Sequence, residues 1–269
     1  MNAFANHLTY DFKTGIRDKS KLLMFYLFPL VFFFIAGGLM ASVNPGFKQT
    51  MLAGMVLFAF MCAALLTMPT LLVTARESGV FRSYRINGVP AASILSIPAM
   101  STSVHMALVS ILICVAGIAV FGATAPTNVG GFVVAAILGY LTYASIGILV
   151  GVASSNNTLS TLICQLIYIP SIILGGITVP VSVLPPTLQR VALLLPSTHC
   201  MRVFASLGGS GATGVPWLSI GVLVVSILLT FLLSSLLFEW DARSSAPSKK
   251  AWWALLAIAP YAIAVVIGG

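Results

Sequence analysis

The sequence predicts an all-α polytopic membrane protein, and three observations lead to that fold class. Hydrophobic residues make up 59% of the 269 positions, and the mean hydropathy is +1.08. Charged residues make up only 7%, whereas a soluble domain carries about 25%. The apolar residues are also gathered into uncharged runs of about 20 residues, which is the length that a helix needs to cross a bilayer. A soluble globular enzyme and a disordered chain are therefore excluded.

Six apolar runs are long enough to be transmembrane spans. In chain order they are Leu22–Val43, Met51–Thr74, Ile94–Phe121, Val129–Ala153, Leu159–Val179 and Trp217–Phe238. A shorter run, Ala251–Ile267, follows them. We expect it to be a seventh span, and a position in the membrane interface is the alternative. Trp252 and Trp253 lie just after Lys249 and Lys250 in the sequence, which is typical of an anchor at the membrane–water interface.

The distribution of Lys and Arg predicts the orientation of the spans. Only Lys48, Arg190 and Arg202 lie on one side of the six alternating spans, and the other Lys and Arg residues lie on the opposite side. All five acidic residues share that opposite side. Cytoplasmic loops are enriched in Lys and Arg. We therefore expect a multi-pass protein of the bacterial cytoplasmic membrane with a cytoplasmic N-terminus.

Residues 1–21 precede the first span and carry an amphipathic pattern. Their apolar positions recur every four residues and are Phe4, Leu8, Phe12 and Ile16. This spacing forms a stripe along one face of a helix. Together with Arg17 on the polar side, it predicts an interfacial helix on the cytoplasmic leaflet. An ordinary basic tail that only sets the topology is the alternative.

The cytoplasmic loop between spans 2 and 3 mixes charged and aromatic residues. Its candidate functional residues are Arg76, Glu77, Phe81, Arg82, Tyr84 and Arg85. Arginine and aromatic side chains are typical anchors of protein interfaces. The composition therefore favours a loop that docks onto another protein. The alternative is a basic loop whose aromatic residues dip into the lipid headgroups.

Residues 180–216, on the predicted outer side, are too apolar for a free loop and too rich in proline for a span. The candidate residues of this segment are Pro180, Pro185, Pro196, His199 and Arg202. Pro186 is placed to begin a short helix, and Pro196 is placed to begin a second. The pattern predicts two short helices that dip into the outer leaflet or cap a cavity.

Several kinds of chemistry have no support in this sequence. It has no phosphate-binding loop motif for ATP and no His-Glu-x-x-His zinc motif, and we expect no catalytic residue, metal site or nucleic-acid partner. His105 is the one ionisable residue well inside a span, which makes it a candidate for function. No acidic residue lies inside a span, and this argues against an ion-driven transporter. Any energy source must then be a partner protein.

The order of these segments resembles the permease subunits of ATP-binding-cassette type-2 transporters over residues 1–243. Three local patterns carry the resemblance, and each lies at the corresponding span. They are Glu77-x-Gly79 followed by Arg82 and Pro90, the stretch from Gly175 to Pro180 leading to Leu184-Pro185, and Pro196-Ser197-Thr198-His199 followed by Arg202.

The resemblance implies a division of the chain and a set of partners. Residues 1–21 would be the connecting helix, 22–243 a six-span permease domain with a re-entrant hairpin between spans 5 and 6, and 244–269 a linker with an extra hydrophobic segment. Such permeases pair with a second copy or a paralogue in the lipid membrane. Each sits on a separate ABC ATPase subunit, which holds ATP and magnesium, so this chain would carry no cofactor. The loop from Arg76 to Tyr84 would be the coupling helix that contacts the ATPase.

The expected function is an ATP-driven export permease. Its path would lie between two permeases and be lined by spans 1, 2 and 5, and its lack of charge suggests an amphiphilic or hydrophobic cargo such as a drug, a lipid-like molecule or a peptide. An intramembrane enzyme is one alternative, and it would turn over substrate without a partner. A non-transporting membrane scaffold or assembly factor is the other.

Overall fold

The computed structural model describes residues 3–43, 46–209, 214, 216–241 and 249–268, and these residues contain helices and no β-strand. Six helices in this part of the chain are long and apolar enough to cross a membrane. We number them spans 1 to 6, and they are Lys19–Met40, Phe47–Glu77, Ala91–Phe121, Val129–Ala153, Asn157–Leu174 and Trp217–Leu237. The predicted all-α, six-span fold class is thereby confirmed.

The individual elements follow in chain order. The first half contains α1 (Ala3–Arg17), α2 (Lys19–Leu22), a π-helical turn (Leu23–Leu27), α3 (Phe28–Val43), α4 (Phe47–Met61), a second π-helical turn (Cys62–Thr67), α5 (Met68–Glu77), α6 (Val80–Ile86) and α7 (Ala91–Phe121). The second half contains α8 (Val129–Ala153), α9 (Asn157–Leu174), a 3₁₀ turn (Val181–Val183), α10 (Pro186–Ala192), α11 (Pro196–Leu207), α12 (Trp217–Leu237), a 3₁₀ helix (Lys249–Ile258) and α13 (Ala259–Gly268).

Spans 2 and 4 form the centre of the bundle. Most of span 2 is buried within this single chain, and Tyr143 of span 4 is among its largest fully buried side chains. Gly147 of span 4 faces the backbone carbonyl of Ala64 in span 2, and a Cβ atom added there would overlap that carbonyl. Small residues let the backbones of membrane helices approach closely. This glycine therefore sets the spacing of the two central spans.

Spans 1 and 2 each contain a π-helical turn that the sequence pattern does not reveal. The first turn ends two residues before Pro29, and the second ends two residues before Pro69. Proline has no N–H to donate, and its ring clashes with the carbonyl four residues earlier, so a wider turn relieves the strain. The two turns contact each other, so the irregular parts of both spans lie at the same level along the bundle.

Span 5 is shorter than predicted, because its helix ends at Leu174 and not at Val179. Gly175 and Gly176 follow, and Gly176 has a φ of +85°, a left-handed conformation that glycine adopts without a steric cost. The glycine pair therefore ends span 5 and turns the chain into the proline-rich hairpin. We call the end of the bundle that the sequence predicts to face the cytoplasm the inner end, and the opposite end, where the hairpin lies, the outer end. Two helices of that hairpin begin at Pro186 and Pro196, the residues that the sequence indicated as helix starts.

The C-terminal segment packs along span 6. Trp253 shares a cavity with Leu233 and Leu237, near the inner end of span 6. Farther along, Ala264 packs against Val222, near the outer end. The segment thus runs the length of span 6 in the opposite direction.

Candidate functional site

The inner end of the bundle brings together α1, the loop between spans 2 and 3, and the end of span 6. Arg76, the last basic residue of span 2, is buried. Its guanidinium donates hydrogen bonds to the carbonyl oxygens of Val152, over 3.2 Å, and Ser154. The last carbonyls of a helix have no partner within that helix. Arg76 therefore caps span 4 and fixes the end of span 2 beside it.

Helix α6 folds back against the bundle because Gly79 reverses the chain. This glycine has a φ of +76°, and α6 begins at the next residue. On the inward side of α6, Phe81 is buried within a cluster that also contains Leu72 and Leu95. Its ring lies 5.3 Å from that of Phe238, measured between centroids. Phe81 is one of the candidate docking residues of the sequence, and this apolar cluster, to which four spans contribute, withdraws its side chain from the surface.

Arg82 forms an ion pair on the surface of the same region. Its Nη2 atom lies 2.9 Å from Oδ1 of Asp241, just beyond span 6, and its Nε atom donates to the same oxygen over 3.0 Å. Both side chains are largely exposed. An exposed pair contributes little stability, but this one connects α6 with the end of span 6.

The outward side of this region carries charged residues and the apolar side chain of Ile86. Glu77, Arg82, Arg85 and Ile86 are exposed, and we call these four residues the loop surface. Ile86 is 80% exposed at the tip of α6. Ile86 is not among the residues that the sequence pattern indicates. Its place two residues before Gly88, at the end of a short helix, was the available signal.

Tyr84 points toward α1 and not directly away from the bundle. It lines a cavity of about 160 Å³ between α1, α6 and spans 2 and 3, together with Asp11, Lys21 and Val80. Burial raises the pKa of Tyr84, and the nearby Asp11 carboxylate raises it further, because both disfavour a phenolate. The structure thus places the predicted interfacial helix beside the predicted docking loop.

Helix α1 is held on span 3 by His105. The ring of Phe12 stacks on the imidazole with 5.0 Å between centroids, and the hydroxyl of Tyr26 in span 1 lies 2.8 Å from Nδ1 of His105. Leu8 is half-buried, whereas Ile16 and Arg17 are exposed. The side chain of Phe4 lies outside the described residues. His105 thus joins α1 with spans 1 and 3, a role that its sequence neighbours did not reveal.

On the outer side, His199 joins the hairpin to span 6. Its Nε2 atom lies 2.9 Å from the carbonyl oxygen of Leu193, and its Nδ1 atom lies 3.2 Å from Oγ of Ser219. The ring also lies 5.8 Å from that of Tyr261, in the C-terminal helix. Burial lowers the pKa of His199, since an apolar surrounding disfavours its charged form. The neutral imidazole can therefore donate one hydrogen bond and accept the other.

The three prolines of the predicted hairpin lie at its helix boundaries. Pro180 and Pro185 directly precede the 3₁₀ turn and α10, and Pro196 is the first residue of α11. Arg202 is exposed on α11 and lines a cavity of about 170 Å³. Among the described residues, no group of three or more His, Cys, Asp or Glu side chains could hold a metal ion.

These features define a class, a polytopic helical membrane protein with a folded loop helix at one end of the bundle and a proline-bounded hairpin at the other. The model for ABC-2 family transporter proteins matches residues 40–236, so the chain belongs to the ABC-2 transporter family. The chain is also 24% identical over 246 residues to YvfS of Bacillus subtilis (strain 168), which carries the provisional name of transport permease. That alignment covers 87% of this chain and 96% of YvfS. The resemblance seen in the sequence is confirmed, and the protein is a multi-pass transport permease.

Proposed function

We propose that this permease is the membrane subunit of an ATP-driven exporter, powered by a separate ABC ATPase subunit that binds ATP and magnesium. The observation that carries the proposal is the loop surface, which presents Glu77, Arg85 and the exposed Ile86 at the inner end of the bundle. Charged residues around an exposed apolar side chain suit a protein interface with a polar rim. ABC-2 permeases generally act with an ABC ATPase.

The attachment of α6 to the bundle explains how an ATPase could move the spans. Phe81 is embedded among residues of spans 2, 3, 4 and 6, and Arg76 fixes the adjoining end of span 2 to span 4. A force on the loop surface therefore reaches four spans without an intervening flexible segment. A partner shifts a conformational equilibrium only if it binds the two states differently, and nucleotide-dependent contacts to the loop surface would supply that difference.

Helix α1 supplies a second route from the ATPase to the spans. It lies beside α6 across the cavity that contains Asp11 and Tyr84. It also reaches span 3 through Phe12 and His105. In this proposal α1 lies along the cytoplasmic leaflet, and its movement accompanies that of α6.

Span 5 provides the surface for a second permease, either an identical copy or a paralogue. Along one face it exposes four large apolar side chains, namely Leu162, Leu166, Ile169 and Ile173. Span 1 also exposes apolar residues, such as Leu27 and Leu39. Span 2, by contrast, is largely buried, so we now propose that spans 1 and 5 contribute most of the path. Their apolar faces suit an amphiphilic or hydrophobic cargo.

The C-terminal segment crosses the bilayer in this proposal, with the N-terminus in the cytoplasm. Ten 3₁₀ residues and ten α-helical residues extend over about 35 Å, and the hydrocarbon core is about 30 Å thick. The contacts from Leu237 to Val222 support this arrangement. A reporter fused after residue 269 should be reached by an impermeant reagent in intact cells. A reporter that is reached only after permeabilisation would place the segment in the interface.

Reconstitution tests the proposed function and separates it from its alternatives. Proteoliposomes that contain the permease and an ABC ATPase co-purified with it should move a fluorescent amphiphile when ATP is added. Permease alone should move none. Substrate turnover by the isolated permease would favour an intramembrane enzyme. A stable complex that neither transports nor stimulates ATP hydrolysis would favour a scaffold.

A further inference from the structure

A cavity of about 170 Å³ opens at the outer end of the bundle, beside the hairpin helix α11. Its walls come from α11, from the chain that follows span 5, and from the outer end of span 2. Most of the lining is apolar and includes Ala53, Pro180, Val181 and Met201. The cavity also holds one basic side chain, Arg202. A cation at an otherwise apolar cavity points to an anionic ligand.

The sequence offers Arg202 no acidic side chain at its own end of the bundle. The guanidinium makes no ion pair with the residues that the structure describes. The five acidic residues of the whole sequence, Asp11, Asp18, Glu77, Glu239 and Asp241, all belong to segments at the inner ends of the spans. Burial lowers the pKa of Arg202, as expected for a cation that is partly withdrawn from water. An anion from outside the chain would neutralise the positive charge of Arg202.

We propose that this cavity binds the phosphate of an anionic phospholipid of the outer leaflet, with Arg202 as the principal donor. The planar guanidinium presents paired N–H groups that match two phosphate oxygens. The cavity holds little more than a headgroup, so the acyl chains would leave it along the bundle. Val179 and Val183 expose apolar side chains close to Val181 in the sequence, and they suit that contact. The inference goes beyond the proposed transport function and does not depend on it.

A bound headgroup would join two parts of the protein that move separately if the hairpin opens. Arg202 and Met201 belong to α11, whereas Ala53 and Thr50 belong to span 2. The lipid would therefore stabilise the hairpin against the outer end of span 2. Depletion of anionic lipid should loosen this contact and leave the inner end of the bundle unchanged.

Native mass spectrometry of the full-length detergent-purified protein tests the site. The probes are phosphatidylglycerol and phosphatidylcholine of identical acyl chains. The native protein should bind one phosphatidylglycerol roughly tenfold more tightly than phosphatidylcholine, as expected for a charge-assisted hydrogen-bonded pair. Arg202→Gln should abolish this preference. Arg190→Gln is the matched control, because it removes another exposed outer cation that does not line the cavity, and it should retain the preference.

Three results would overturn the proposal. One is equal binding of the two lipids to the native protein, and another is equal loss in the Arg202→Gln and Arg190→Gln variants. The third is competition by soluble glycerol phosphate as effective as that of the lipid, which would show a site for free phosphate. If Arg202→Gln does not fold, Ala53→Phe replaces it, because the larger ring fills the cavity and leaves the arginine in place. That variant should lose the bound lipid, and retention of the lipid would contradict the site.

Discussion

Arg76, at the inner end of span 2, donates a hydrogen bond of 3.2 Å to the carbonyl oxygen of Val152, at the inner end of span 4. This contact joins the two central spans at their inner ends. Arg76 lies just before the turn that leads into α6. Its position explains why a surface loop of so few residues has a defined orientation. An arginine that sequence composition assigns to a docking surface is instead part of the support beneath that surface.

Arg76→Ala should destabilise the protein. The substitution leaves the carbonyl oxygens of Val152 and Ser154 without their donor, which costs about 1–3 kcal/mol for a buried group. Arg85→Ala is the matched control, because Arg85 is exposed on the adjacent helix α6. Thermal unfolding in detergent should give a clearly lower Tm for Arg76→Ala alone. Equal Tm values for the two variants would contradict the capping role.

Gly147→Ala should disturb the contact between spans 2 and 4. The added Cβ would overlap the carbonyl of Ala64, so the two backbones must separate, and overpacking of this kind costs about 1–3 kcal/mol. Gly221→Ala in span 6 is the control, because a Cβ there meets no atom within 4 Å. The measurement is the fraction of monodisperse protein after heating. Survival of Gly147→Ala at the level of Gly221→Ala would refute the close approach.

Acidification should loosen the outer hairpin through His199. Burial lowers its pKa in the folded state, whereas an opened hairpin would return the imidazole to about 6.5. The open state therefore binds more protons below that pH, and the stability of the hairpin falls as pH decreases through it. The protection factors for amide hydrogen exchange of residues 186–207, which correct for the intrinsic pH dependence of exchange, should be lower at pH 5.5 than at pH 7.5. His199→Gln should remove most of that difference, and an unchanged difference would exclude His199 as its source.

The fold was largely predictable because hydrophobicity alone determines where membrane helices lie. The apolar runs gave the six spans, and Pro186 and Pro196 gave the starts of the hairpin helices. The π-helical turns and the early end of span 5 depend on local backbone strain, which a hydropathy pattern does not contain. The glycine pair at 175–176 was the only signal for that early end.

The candidate site was predictable in composition but not in orientation. The sequence indicated that the loop after span 2 mixes arginine with aromatic residues. Whether Phe81 faces a partner or the bundle depends on Phe238, and the partner of Arg82 is Asp241, 159 positions away. Pairings of this kind follow from how the spans pack together. Ile86 was missed because its one signal, a position two residues before Gly88 near the end of a short helix, does not show which face of that helix is exposed.

The central claim is that the loop surface binds a separate ABC ATPase, and co-purification of that ATPase with single-residue variants tests it most directly. Ile86→Asp places a charge on an exposed side chain at the inner end, and Val183→Asp does the same on the outer side. We predict that the native permease and Val183→Asp retain the ATPase and that Ile86→Asp loses most of it, with all three equally folded. Retention of the ATPase by Ile86→Asp at the native level would contradict the account.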